Sequence, residues 1–161
     1  MNDIGLKPAI RERLAVDAKV RLDGIVSWNL KSVTRRAQMK NGWSRSKRRS
    51  AERGYRQFLA LIAIDPNQSL GMAQGPVDEV WHEHLLHSRD YQMMCSNIFG
   101  QMIHHSPNPV GRESRSKDSY VSTTLPALRR TFGVRPGTTW PTEGTADAFS
   151  QCCNHIENSP I

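Results

Sequence analysis

The sequence predicts a mainly α protein, a small single-domain helical bundle with long loops, and three observations carry that reading. Apolar residues recur at helical spacing in several segments. Proline, glycine and serine fall where helices start and stop, and no segment shows a convincing strand alternation. At 161 residues the chain has the length of one compact domain.

Residues 6–23 read as an amphipathic helix, with Pro8 near its start, Ile10, Leu14 and Val20 at roughly helical spacing and Gly24 as its stop. A weaker helical stretch, residues 25–38, leads to the Asn41-Gly42 turn. Ser44 is the expected N-cap of the next helix, which is basic in its first half and apolar in its second. That helix should end near Ile64, because Pro66 disfavours helix at the residue before it. Tyr55, Phe58, Leu59 and Ile62 are its core residues. Residues 65–75 form a turn-rich loop, and Pro76 opens a helix over residues 76–89, since a first helical position tolerates a missing N–H. A further helix is expected over residues 91–103, a polar loop over 106–118, a short helix over 119–132 stopped by Gly133, and a last one over 145–156.

Composition divides the chain into a basic N-terminal helical segment (residues 1–43), a helical core with the histidine cluster (44–110) and a loop-rich C-terminal extension (111–161), within one compact domain overall. The formal charge of +7 is unevenly held: residues 1–56 contain 15 Lys+Arg against 5 Asp+Glu, and the rest of the chain is mildly acidic. The longest apolar run, Phe58 to Ile64, is far too short for a membrane span of about 20 residues. The first residues carry charges where a signal peptide would be apolar. With three cysteines, two of them adjacent (Cys152 and Cys153), reduced thiols are expected rather than a disulfide framework. The expected location is cytoplasmic, with no membrane partner.

The chemistry is concentrated in residues 77–105, where five of the six histidines lie: His82, His84, His87, His104 and His105. Residues three or four apart share a helix face, so Asp78 and His82 can converge, as can His84 with His87 and His87 with Tyr91. His84 is two residues from His82, about 200° round the helix, and points elsewhere. The simplest metal geometry takes a pair from this helix and a third ligand from the antiparallel second helix, where His104 or His105 comes back past the start of the first. The candidate ligands are Asp78, His82, His84, His104 and His105. An Asp with two His suits a divalent transition metal, Zn or Fe, and leaves positions open for water or substrate. Cys95 is a candidate additional or alternative soft ligand. Tyr91 and His84 are the candidates for proton transfer at such a centre.

The run Asp78-Glu79-Val80-Trp81-His82-Glu83-His84, followed by Tyr91, Cys95, Phe99-Gly100 and His104-His105, resembles the conserved domain of the glycine-rich domain-containing protein family, in its small bacterial form. The likeness spans about residues 50–110 and lacks the glycine-rich tail; His87 falls outside the pattern. It implies a small helical domain and singles out Asp78, Trp81, His82, His84, Tyr91 and one of His104 and His105.

Residues 35–56 are the second feature. Arg35, Arg36, Arg45, Lys47, Arg48 and Arg49, with Trp43 and Tyr55 interleaved, are a candidate contact for nucleic acid or an acidic protein partner. The Cys152-Cys153-Asn154-His155 stretch adds soft donors near the C-terminus. Two functions follow. One is a metal-binding helical protein acting as a hydrolytic or oxidative enzyme on a small or peptidyl substrate. The alternative is a noncatalytic binding module that uses its basic N-terminal third.

Overall fold

The structure, a computed structural model, describes residues 4–105, 118–137, 139–142 and 158–160. The chain is mainly helical: α1 (Pro8–Arg13), α2 (Val16–Ser27), α3 (Lys31–Asn41), α4 (Arg45–Ile64), α5 (Pro76–Leu86), α6 (Ser88–Met94) and α7 (Leu125–Phe132). Two π-helical turns, Cys95–Phe99 and Tyr120–Thr124, continue α6 and precede α7. Three-residue strands β1 (Gln101–Ile103) and β2 (Asn158–Pro160) pair antiparallel, with Met102 opposite Ser159.

Helix α4 is the central element, and its ends follow local rules. Ser44 caps it by accepting from the Lys47 backbone N–H at 3.1 Å. It ends at Ile64, before Asp65-Pro66. From Gly54 to Ala63 every residue is buried, so its second half is surrounded by α2, α3, α5 and α7. Gly54 allows a close approach: a Cβ there would stand 2.6 Å from Val77 Cγ2, so the start of α5 could not lie so near α4 if that residue carried a side chain.

Two buried polar residues on α4 hold distant backbone. Arg56, 2% exposed, donates to the carbonyls of Ile25, Val26 and Trp28 at the end of α2, and pairs with Glu52 at 2.9 Å. The guanidinium thereby satisfies C-terminal carbonyls that α2 leaves unpaired. Gln57 donates to the Ile4 carbonyl at 2.8 Å and accepts from Trp140 Nε1.

The N-terminal segment differs from the expected single helix. Leu14 is extended (φ −72°, ψ 147°) and divides α1 from α2. The buried face of α2 is Ala18, Leu22 and Ile25, whereas Val20 is 65% exposed. Gly24 lies inside α2, against Ile98, rather than stopping it. The turn-rich segment after α4 is also less superficial than its composition suggests. Leu70, Met72 and Ala73 are buried, and the Thr124 hydroxyl accepts from Gly71 N–H and donates to Gly71 C=O.

The helix expected over residues 91–103 stops early. Gly100, in the left-handed region (φ 69°), ends the π-helical turn, and Gln101–Ile103 leaves as a strand. Gly133 likewise closes α7 at φ 68°. The expected helix over 145–156, Cys152, Cys153 and His155, and nearly all of the 106–118 loop lie outside the described residues. Among the described residues no helix is long and apolar enough to cross a membrane.

Candidate metal centre

Helix α5 is enclosed on several sides, and at about 100° per residue its side chains sort into three directions. Val77, Val80, Trp81 and His84 face the core and are all buried. Glu79 and Glu83 face α3, where Lys40 pairs with Glu79 at 3.2 Å and Arg36 with the buried Glu83 at 3.2 Å. Those carboxylates raise the Lys40 pKa from its ordinary value, chiefly through the Glu79 hydrogen bond. Asp78 and His82, one turn apart, point the third way.

Into that third direction the chain returns with His105. Asp78, His82 and His105 each offer a ligand atom, and all three lie within 4.8 Å of one another. The carboxylate of Asp78 is shared: Oδ2 is 3.4 Å from His82 Nδ1 and Oδ1 is 3.3 Å from His105 Nε2. The imidazoles are 4.4 Å apart between centroids, tilted by 50°. The side chains of Asp78 and His105 are 3% and 7% exposed, but that of His82 is 33% exposed, so the group opens to solvent on the His82 side. Among the described residues this is the group of His, Cys, Asp or Glu side chains that can hold a metal ion.

His105 comes from beyond β1, and its position has a traceable cause. Trp81, fully buried, stacks edgewise on the His105 ring at 4.5 Å and donates Nε1–H to the Tyr91 hydroxyl at 3.1 Å. Tyr91 in turn donates to the Ile103 carbonyl at 2.5 Å, two residues before His105. A chain of two hydrogen bonds from the α5 core face thus fixes the end of β1. The Tyr91 pKa is pushed well above the ordinary phenol value, chiefly by burial, so its hydroxyl keeps the proton it donates.

The other residues expected at the site stand elsewhere. His84 is fully buried on the opposite side of α5, and both its ring nitrogens are taken: Nδ1 is 3.0 Å from Tyr55 Oη and Nε2 is 2.8 Å from Asp90 Oδ2. Burial lowers the His84 pKa and raises that of Tyr55 well above normal. The assignment that satisfies all three groups is a neutral imidazole, accepting from the Tyr55 O–H and donating Nε2–H to the Asp90 carboxylate. No lone pair of His84 is then left for a metal, and the Tyr91 hydroxyl is engaged with Trp81 and the Ile103 carbonyl. His104 is exposed and outside the group, so the His104/His105 pair divides. His87 lies between α5 and α6 and bonds the Glu83 carbonyl through Nδ1 at 2.7 Å. Cys95 is buried, its thiol pKa raised by that burial, and is not a member of the group.

Of the basic residues, Arg35, Arg45 and Arg49 are exposed and Arg48 is half-buried, all four around one concavity between α3 and the start of α4. Arg36 is instead engaged with Glu83, and Lys47 lies over the Trp43 ring at 5.6 Å. Sequence reasoning missed the roles of Trp81 and Tyr91 in orienting the His105 segment, and of Arg56 in capping α2. Only the inward position of Trp81 on an amphipathic α5 hinted at any of these.

Fold and site together define a small helical protein with an Asp/His group able to hold a metal. A family model described as UCP032817-like matches residues 21–135, and the chain belongs to that family. This corrects the resemblance to the glycine-rich domain-containing family. The D-x-x-W-H-x-H spacing behind that resemblance follows from the three directions of α5, and any helix with a core face and a polar group beside it can meet the same constraint. No curated protein and no solved structure matches the chain.

Proposed function

We propose that the protein binds one divalent transition metal, Zn or Fe, through Asp78, His82 and His105, and uses it in hydrolytic or oxidative chemistry on a small or peptidyl substrate. The observation that carries the reading is a pair of distances. Two ligand atoms, each about 2.1 Å from a tetrahedral metal, stand about 3.4 Å from one another. The two Asp78–His separations, to opposite oxygens of the carboxylate, are 3.3 and 3.4 Å, longer than a strong charge-assisted hydrogen bond of about 2.8 Å and close to that spacing, and one ligand atom from each of the three residues lies within 4.8 Å of the others.

Two imidazoles and one carboxylate are a ligand set that Zn and non-haem Fe both accept with positions left open. A metal so held would polarise a carbonyl or acidify a bound water. The chain's own residues supply the rest. Asp78 and His82 are held at helical register, Trp81 and Tyr91 orient His105, and the exposed edge of His82 gives access from solvent.

The test is elemental analysis of the purified protein, with and without added metal. One equivalent of Zn or Fe per chain is expected, lost on dialysis from Asp78→Asn and His82→Ala but retained by His84→Gln and His104→Ala. Absence of stoichiometric metal after loading would overturn the reading.

A further inference from the structure

Four arginines, two of them a helical turn or less from a third, surround one open concavity that the metal reading does not use. Arg35 on α3 faces Arg45, Arg48 and Arg49 on the first two turns of α4, with Gln38 and the Trp43 ring between them, around a space of about 920 Å³. No carboxylate is among the residues lining it. The surrounding acids are committed elsewhere: Glu52 to Arg56, and Glu79 and Glu83 to Lys40 and Arg36. Arg48 Nε is shielded from solvent and has no hydrogen-bond partner. The positive end of the 20-residue helix α4 opens on the same side.

We propose that this groove binds the phosphate backbone of a nucleic acid, without base readout. Arginine makes planar, bidentate hydrogen bonds to phosphate oxygens, and every cation lining the groove is arginine, whereas the lysines of this region lie outside it. Arg48 and Arg49 stand three and four residues after Arg45, so each has its Cβ about 5–6 Å from that of Arg45. That spacing sets forks one helical turn apart, suited to neighbouring phosphates of one strand. Trp43 is 9% exposed and already covered by Lys47, so it floors the groove rather than offering a stacking platform. Backbone contact therefore dominates, and affinity should be insensitive to sequence and steeply dependent on salt.

The experiment is fluorescence anisotropy with a labelled 20-nucleotide single strand, in chelator, so that its outcome is independent of the metal centre. Binding at 25 mM salt should weaken on raising salt, with a log–log slope near −3, as about four phosphate contacts give. Arg45→Glu/Arg49→Glu should lose at least tenfold in affinity, while Arg13→Glu/Arg130→Glu, the same change of charge outside the groove, should lose less than twofold. Unchanged helicity in both variants, by circular dichroism, keeps the comparison valid. The proposal is overturned by absence of binding at low salt or by equal losses in the two double variants. It is equally overturned if poly-glutamate competes as well as an equal charge of oligonucleotide, which marks an acidic-protein site, or if inorganic phosphate competes as well, which marks an isolated anion site.

Discussion

Asp78 Oδ1 lies 3.3 Å from His105 Nε2 although the two residues are 27 positions apart in the chain. Their meeting depends on the left-handed turn at Gly100, on β1, and on the Trp81–Tyr91–Ile103 chain of hydrogen bonds. The centre is therefore as much a product of β1 as of α5.

Tyr91→Phe removes the donor that holds the Ile103 carbonyl and leaves Trp81 Nε1–H without its acceptor. Because the hydroxyl acts on His105 through the backbone, the expected effect is on affinity: a roughly tenfold weaker metal, at the low end of losses for groups that orient ligands. Competition with a chromophoric chelator measures it. An unchanged affinity with intact helicity would show that His105 is held in place without Tyr91.

His84 makes stability depend on pH. Burial lowers its folded pKa below the ordinary 6.5, so the unfolded chain takes up a proton more readily. Its contribution is complete above the unfolded pKa and declines as pH falls below 6.5 towards the lowered folded value. Urea midpoints between pH 5 and 8 should fall towards acid in the native protein and fall less steeply in His84→Gln. Parallel profiles would remove His84 as the cause.

Arg56→Leu strips three carbonyls at the end of α2 of their donor and takes from Glu52 its ion-pair partner. Breaking a buried pair by removing one partner costs about 3–5 kcal/mol, and a loss of about 3 kcal/mol by urea unfolding is expected. Arg56→Lys should recover only part of it, since one ammonium cannot reach all four acceptors. Full recovery would mean that charge alone matters at this position.

Gly54→Ala tests the approach of α4 to α5. Alanine favours a helix interior by about 1 kcal/mol, but its Cβ would meet the stiff Val77 side chain at 2.6 Å. Overpacking costs about 1–3 kcal/mol, so a net loss of about 1 kcal/mol in urea is expected, with weaker metal binding because Val77 adjoins Asp78. A stabilised variant would show that α5 yields freely.

Features governed by neighbours in the chain were legible in the sequence. The Ser44 cap and the stop before Pro66 bound α4, Pro76 opens α5, and the opposite directions of His82 and His84 follow from helical pitch alone. What depended on tertiary contact was not. The register of α2 was misread because Val20 is as apolar as the Leu22 that the core uses. The choice of His105 over His104 rests on the direction of a three-residue strand, and the inward turn of Arg56 on carbonyls some 30 positions away. In the basic region, composition located the charge, but only packing separates the four groove arginines from Arg36 and Lys47.

The most direct test of the metal centre is anaerobic calorimetric titration of the chelator-treated protein with Zn(II) and Fe(II), comparing wild type, His105→Ala and His104→Ala. One equivalent should bind to wild type and to His104→Ala alike, and His105→Ala should lose at least tenfold in affinity. Absence of saturable binding near one equivalent, or equal losses in the two histidine variants, would contradict a centre built from Asp78, His82 and His105.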